Sequence, residues 1–221
     1  MATLKHINFI KIKQGSKEYF GGNQSWWKNE NDSMSEYGCG VIALCNLELY
    51  VSGAGIKGIT YEDYRAYVDK RHREVYFINK RKKLRRLGLL PMIMERGLDK
   101  FYSSRNGDPI ISWCPTVNKK LIGKLMEKML KNNIPIVASY YVFNKKNKLD
   151  LYTYNSKNKS FEKSVGIKRH YFNIVGVTRR NGKDMLIIST WGEKYYAEYD
   201  QWVKKLSIFS NILYVECEER G

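Results

Sequence analysis

The stretch from Gly38 to Leu47 constrains the fold of this chain more than any other. It reads Gly38-Cys39-Gly40-Val41-Ile42-Ala43-Leu44-Cys45-Asn46-Leu47, small and apolar almost without a break. A helix with no polar face has to be buried. The thiol of Cys39 stands at the mouth of that helix between two glycines, so no neighbouring side chain obstructs it.

Helical spacing continues through the first half. Thr60-Tyr61-Glu62-Asp63 reads as an N-cap with early acidic residues and predicts a helix to about Lys70. Leu89 to Tyr102 has helical spacing with Pro91 near its start. After Asn118, the residues Leu121, Ile122, Leu125, Met126, Met129 and Leu130 form one apolar stripe with the period of an α-helix. From Ile134 the pattern changes. Ile134 to Phe143 is rich in β-formers, and Leu149 to Tyr154 reads as its hairpin partner. Further strands are expected over His170 to Val177, Asp184 to Ser189 and Ile212 to Cys217. Helices first and antiparallel strands later describe an α+β fold. A single domain over 1–221 is expected, helical over about 36–132 and β over about 134–217.

Composition narrows the class. The chain of 221 residues is 43% hydrophobic, which predicts a globular core. No apolar stretch reaches the roughly 18 residues of a membrane span, and Met1 to Gln14 lacks the pattern of a signal peptide. The cysteines at 39, 45, 114 and 217 form neither a metal-type pair nor a disulfide framework. No metal and no cofactor are expected, and a reduced, cytoplasmic setting fits best. Cys45 and Cys114 read as core residues, and His6 and His72, in basic and polar surroundings, as surface ones.

Four elements then occur in a chemically meaningful order. Gly21-Gly22-Asn23-Gln24 carries a side-chain amide, Cys39 opens the apolar helix, His170 opens a strand, and Ser189-Thr190-Trp191-Gly192 ends another. A free thiol has a pKa of about 8.5 and must lose its proton to attack a carbonyl. The positive end of a helix and a nearby imidazolium both favour the thiolate. The backbone N–H of Cys39 and the Gln24 amide are suited to stabilise a developing oxyanion, and His170 to protonate the leaving amine.

In these residues the chain resembles the papain-like cysteine peptidases, above all the bacteriocin-leader peptidases and their stand-alone bacterial relatives. There a Gln precedes a Cys-Gly helix and a His begins a central strand. The motifs cover Gly21 to Leu47 and His170 to Gly192. The resemblance implies a papain-like fold, with a helical layer carrying Cys39 packed on an antiparallel sheet carrying His170. It also implies Cys39 as nucleophile, His170 as base, Gln24 in the oxyanion hole and a peptide or protein substrate. Two departures stand out. Gln24 lies fifteen residues before Cys39, so a loop from Trp26 to Glu36 has to be extruded. Ser189 stands where the family places an Asn ahead of Trp-Gly.

Strand geometry bears on Ser189. Asn181-Gly182 is a strong hairpin signal. A two-residue loop there sets Ser189 opposite Ile174, and a four-residue loop sets it opposite Phe172. Both place Ser189 on the face of His170 and Thr190 on the other. Ser189 is therefore the expected His-orienting group. Charge supplies the competing reading. A net charge of +17, the run Lys80-Arg81-Lys82-Lys83-Leu84-Arg85-Arg86 and seventeen tyrosines also describe a non-catalytic relative that binds acidic peptides or nucleic acid. The basic residues are spread over the whole chain and no nucleic-acid motif accompanies them, which makes a solvated basic face the simpler account.

Overall fold

A helix without a polar face needs cover on every side, and the chain supplies it from both ends. The computed structural model describes residues 2–6, 8–76, 88–114, 116–144 and 147–217. Two short strands come first, β1 (Lys11–Gln14) and β2 (Lys17–Phe20), followed by a 3-10 turn at Gln24–Trp27. The short helix α1 (Asp32–Tyr37) leads through Gly38 into α2 (Cys39–Val51). Then follow β3 (Ile59–Thr60), α3 (Tyr61–Glu74), α4 (Pro91–Ser103), β4 (Pro109–Trp113) and α5 (Lys119–Lys131). The remainder is β5 (Ile136–Tyr141), β6 (Leu149–Asn155), β7 (Ser160–Ile167), β8 (Arg169–Arg180), β9 (Lys183–Thr190), β10 (Glu193–Glu198), α6 (Tyr199–Val203) and β11 (Ile212–Cys217).

The fold is α+β. An eight-stranded antiparallel sheet runs β4-β11-β5-β8-β9-β10-β6-β7, and a small sheet β2-β1-β3 stands apart from it. Every residue of α2 from Gly40 to Tyr50 is buried, with the helix packed on β8, β5, α3 and α4. The caps behave as their chemistry predicts. The Thr60 hydroxyl accepts from the Asp63 N–H, Asn118 accepts from Lys120 and Leu121, and Pro91 opens α4 where no N–H is needed.

Three expectations change. Leu149–Asn155 is not the partner of β5 but pairs with β7 and β10, four strands away. β5 is buried on both faces along nearly its whole length and belongs at the centre of a sheet, whereas β6 alternates buried and half-buried residues over its first half and is mostly exposed beyond, as a strand near a sheet edge is. The division into a helical part and a β part is also less clean than expected. β4 lies within the helical stretch yet forms one edge of the large sheet, and β1 to β3 precede or interrupt the helices. Nor is the segment between Gln24 and Cys39 an extruded loop. Asn31 caps α1, Met34 is fully buried, and the Trp27 indole donates to Asp69 at 2.6 Å.

Two polar groups on α2 are buried and fully engaged. Glu48 accepts from Tyr67 (2.7 Å), Tyr76 (2.5 Å) and the guanidinium of Arg71, which also reaches the Gly97 carbonyl. Asn46 accepts from the Gly22 N–H (3.2 Å) and the Tyr64 hydroxyl (2.7 Å) and donates to the Asn173 Oδ1 (3.0 Å). Asn173 in turn donates to the Ala43 carbonyl at 2.9 Å. Removing Asn46 leaves three buried groups without their partner. Asn46→Ala is accordingly expected to lower the unfolding free energy by roughly 2–4 kcal/mol in urea titration. A loss within experimental error would show that this network does not hold the helix.

Candidate active site at the mouth of the buried helix

Cys39 occupies the first turn of α2, and Gly40 behind it is tightly enclosed. A β-carbon added at Gly40 would sit about 3 Å from Leu89 and Met94 and 3.3 Å from the Tyr171 ring. The thiol is partly exposed at the rim, but the packing around it pushes its pKa up. The backbone N–H groups of Tyr171, Gly40 and Cys39 itself pull in the opposite direction, the field expected at a helix start. Tyr171 is the residue after His170, so the sulfur lies against the beginning of β8. A narrow pocket is lined by Gly22, Gln24, Cys39, Asn46, His170 and Thr190, among others. Cys39, His170, Gln24 and Ser189 all border it.

The partner of His170 is not the expected one. Its Nε2 lies 2.6 Å from the Thr190 hydroxyl, while Ser189 donates to the Phe20 carbonyl at 2.8 Å. The cause is a β-bulge. Asn181 and Gly182 form the two-residue turn, both with positive φ (49° and 76°), and β8 and β9 pair in register from Arg180↔Lys183 to Gly176↔Ile187. One residue, Val175, is then passed over, and pairing resumes at Ile174↔Ile188 and Asn173↔Ser189. A slip of one residue exchanges the two faces of a strand. Ser189 therefore joins Asn173, and Thr190 turns to His170.

The Trp191 ring covers His170, with centroids 4.6 Å apart and planes tilted by 32°. Holding it there requires φ of +52° at Trp191, a conformation uncommon for a bulky residue, with Gly192 beside it at +77°. The turn is pinned by the opposite segment. Asn23 donates to the Trp191 carbonyl (3.0 Å), Gly192 to the Gly22 carbonyl (3.0 Å) and Phe20 to the Gly192 carbonyl (2.7 Å). Gly21 and Gly22 are needed for this approach, since a β-carbon at either would collide with Ser189 or with the Tyr64 hydroxyl. Gln24 is thereby drawn to the pocket wall. Its amide donates to the Ser35 carbonyl at 2.8 Å, and an amide nitrogen carries a second proton.

Burial lowers the pKa of His170 from 6.5 to about 3, so the ring is neutral at neutral pH. Among the described residues no hydrogen bond joins it to Cys39. Both shifts favour the uncharged forms, a thiol and a neutral imidazole, over a thiolate–imidazolium pair. Of the other cysteines, Cys45 is fully buried as expected, whereas Cys114 and Cys217 are partly exposed. His72 is half-buried rather than on the open surface. The basic run Lys80 to Arg86 lies outside the described residues. No helix of the described residues is long and apolar enough to cross a membrane.

The alternation of side chains sets Thr190 on the face away from His170 as the weaker candidate, and Asn46 and Asn173 were missed at the sequence level. The last two carried a signal, since a polar residue inside a buried apolar run implies a hydrogen-bonded partner. No protein-family model matches the chain, and no curated protein matches it.

The titration of His170 has a consequence for stability. Its folded pKa is depressed, so between pH 6.5 and about 3 the unfolded chain binds a proton that the folded chain refuses. This contribution is intact above pH 6.5 and is lost as the pH falls. His170→Gln should flatten the decline of unfolding free energy between pH 6.5 and 4, measured by urea titration at each pH. Parallel curves for the two proteins would mean that His170 is not held neutral by burial.

Proposed function

We propose that the chain is a papain-like thiol hydrolase that cleaves a peptide or amide bond through a thioester on Cys39. The observation that carries the reading is the convergence of Cys39 and Gln24 with His170, which is distant from both in sequence, on one pocket. Because both groups start neutral, His170 acts as a general base and takes the thiol proton as the sulfur attacks. The S–C bond forms, negative charge grows on the carbonyl oxygen, and the Cys39 N–H and the Gln24 amide stabilise it. His170 then delivers its proton to the leaving amine as the C–N bond breaks. Water adds to the thioester, with His170 accepting its proton, and the acid leaves as the thiol is restored. Thr190 acts as a positioning residue that fixes the ring through Nε2.

The rival reading is a non-catalytic relative that binds acidic peptides or nucleic acid. It has one observation in its favour, the burial that holds Cys39 and His170 neutral. Peptidyl vinyl sulfones, which need an activated thiol, separate the two. An adduct on Cys39 is expected by mass-spectrometric peptide mapping. His170→Ala should abolish it, Gln24→Ala should slow it, and Thr190→Ala should slow it more than Ser189→Ala. Failure of every such probe to modify Cys39, while iodoacetamide does so, would reject the hydrolase.

A further inference from the structure

Beside the cleft the protein displays a cluster of aromatic and aliphatic side chains to solvent. Phe143, Ile208 and Phe209 are 72%, 59% and 49% exposed. Phe143 and Phe209 both pack edgewise or tilted on Tyr141, at 5.3 and 5.6 Å between centroids, and on each other at 6.3 Å. Exposed apolar clusters of this kind mark interaction surfaces.

The turn that carries Ile208 and Phe209 is tied to its neighbours by hydrogen bonds. The Tyr141 N–H donates to the Ser210 hydroxyl (2.7 Å), which donates to the Tyr141 carbonyl (2.9 Å), and the Trp113 indole donates to the Ile208 carbonyl (2.9 Å). Ser210 and Asn211 are fully buried, so the turn that carries Ile208 and Phe209 is fastened from beneath while its apolar side chains point out. A turn needed only for the fold would gain from the reverse arrangement.

The cluster shares a sheet face with Tyr171, beside the Cys39 end of the candidate site. Tyr141 pairs with Arg169 across β5 and β8, and both lie on the face of Tyr171, opposite to that of His170. On the other flank the Trp113 ring meets Tyr171, whose N–H faces the Cys39 sulfur. Arg169 supplies the chemistry of the occupant. Its exposed guanidinium lies over Tyr141 at 5.0 Å and Phe143 at 5.9 Å, and among the described residues it forms no ion pair. A cation held over rings, with no carboxylate partner among the described residues, is complementary to a carboxylate that arrives from outside. The net charge of +17 favours the approach of an acidic chain.

We infer that Tyr141, Phe143, Phe209 and Arg169 form a substrate subsite that takes an apolar side chain and an adjacent carboxylate from an acidic peptide. The inference rests on the thiol-hydrolase reading. Its test compares the rate of Cys39 modification by three peptidyl vinyl sulfones, which carry Phe-Glu, Phe-Lys or Gly-Glu as their recognition residues. Phe-Glu is expected to react fastest, by about fivefold over Phe-Lys and about tenfold over Gly-Glu. Arg169→Glu should reverse the preference between Glu and Lys. Phe143→Ser with Phe209→Ser should erase the advantage of Phe, while iodoacetamide reports whether Cys39 itself is disturbed.

Equal rates for the three probes, with Cys39 modified by all, would overturn the subsite and leave the hydrolase standing. Modification by iodoacetamide but by none of the peptidyl probes would overturn both. If the serine variants leave the rates unchanged but convert a dimer to a monomer in size-exclusion chromatography, the face is a contact between copies and the subsite falls.

Discussion

The hydrogen bond from the Asn46 amide to Asn173, which in turn donates to the Ala43 carbonyl, is the constraint on which the cleft depends. Asn46 lies about two turns below Cys39 on the same helix. One of its bonds reaches Asn173 on the strand that His170 begins, and another reaches Gly22, two residues before Gln24. The three segments that carry the candidate chemistry therefore meet at one buried side chain. An apolar residue there would fill the same volume, but it would not fix how the helix sits along β8. Buried amides are costly when unpaired, and that cost penalises every other register.

The bulge at Val175 is the second determinant, since it decides which side chains share a face with His170. Without the slip, Ser189 would face the ring; with it, Ser189 ties β9 to the Phe20 carbonyl, and Thr190 takes the imidazole. The segment 2–4 lies alongside the same region, with Thr3 bridging to Gly176, Leu4 donating to the Val175 carbonyl and Val177 donating to the Ala2 carbonyl. It occupies the edge of β8 beyond the last residue paired with β5, so the bulged stretch keeps hydrogen-bond partners on that side.

Much of this architecture was legible in the residues. The apolar run after Cys39, the caps at Thr60 and Asn118 and the Asn181-Gly182 turn each act locally, and each took the form that its chemistry dictates. The pairing of β6 was not legible, because β-forming composition identifies a strand but not its neighbour. β1 and β2 were invisible for a different reason: Lys-Ile-Lys-Gln and Lys-Glu-Tyr-Phe are too short and charged to show a pattern. In the site, Gln24, Cys39 and His170, singled out from their order in the chain, line one pocket. The role of Thr190 was hidden, since a one-residue bulge leaves no mark in the spacing from which faces are counted.

The central claim is that a neutral His170 activates the Cys39 thiol for acyl transfer. Rapid acid quenching after mixing with a peptidyl nitrophenyl ester, followed by mass spectrometry, tests it most directly. The account predicts an acyl group on Cys39 that forms in a burst and then disappears by hydrolysis, with both steps slowed in His170→Ala. Ester cleavage without an acyl adduct on Cys39, or an adduct that forms equally well without His170, would contradict it.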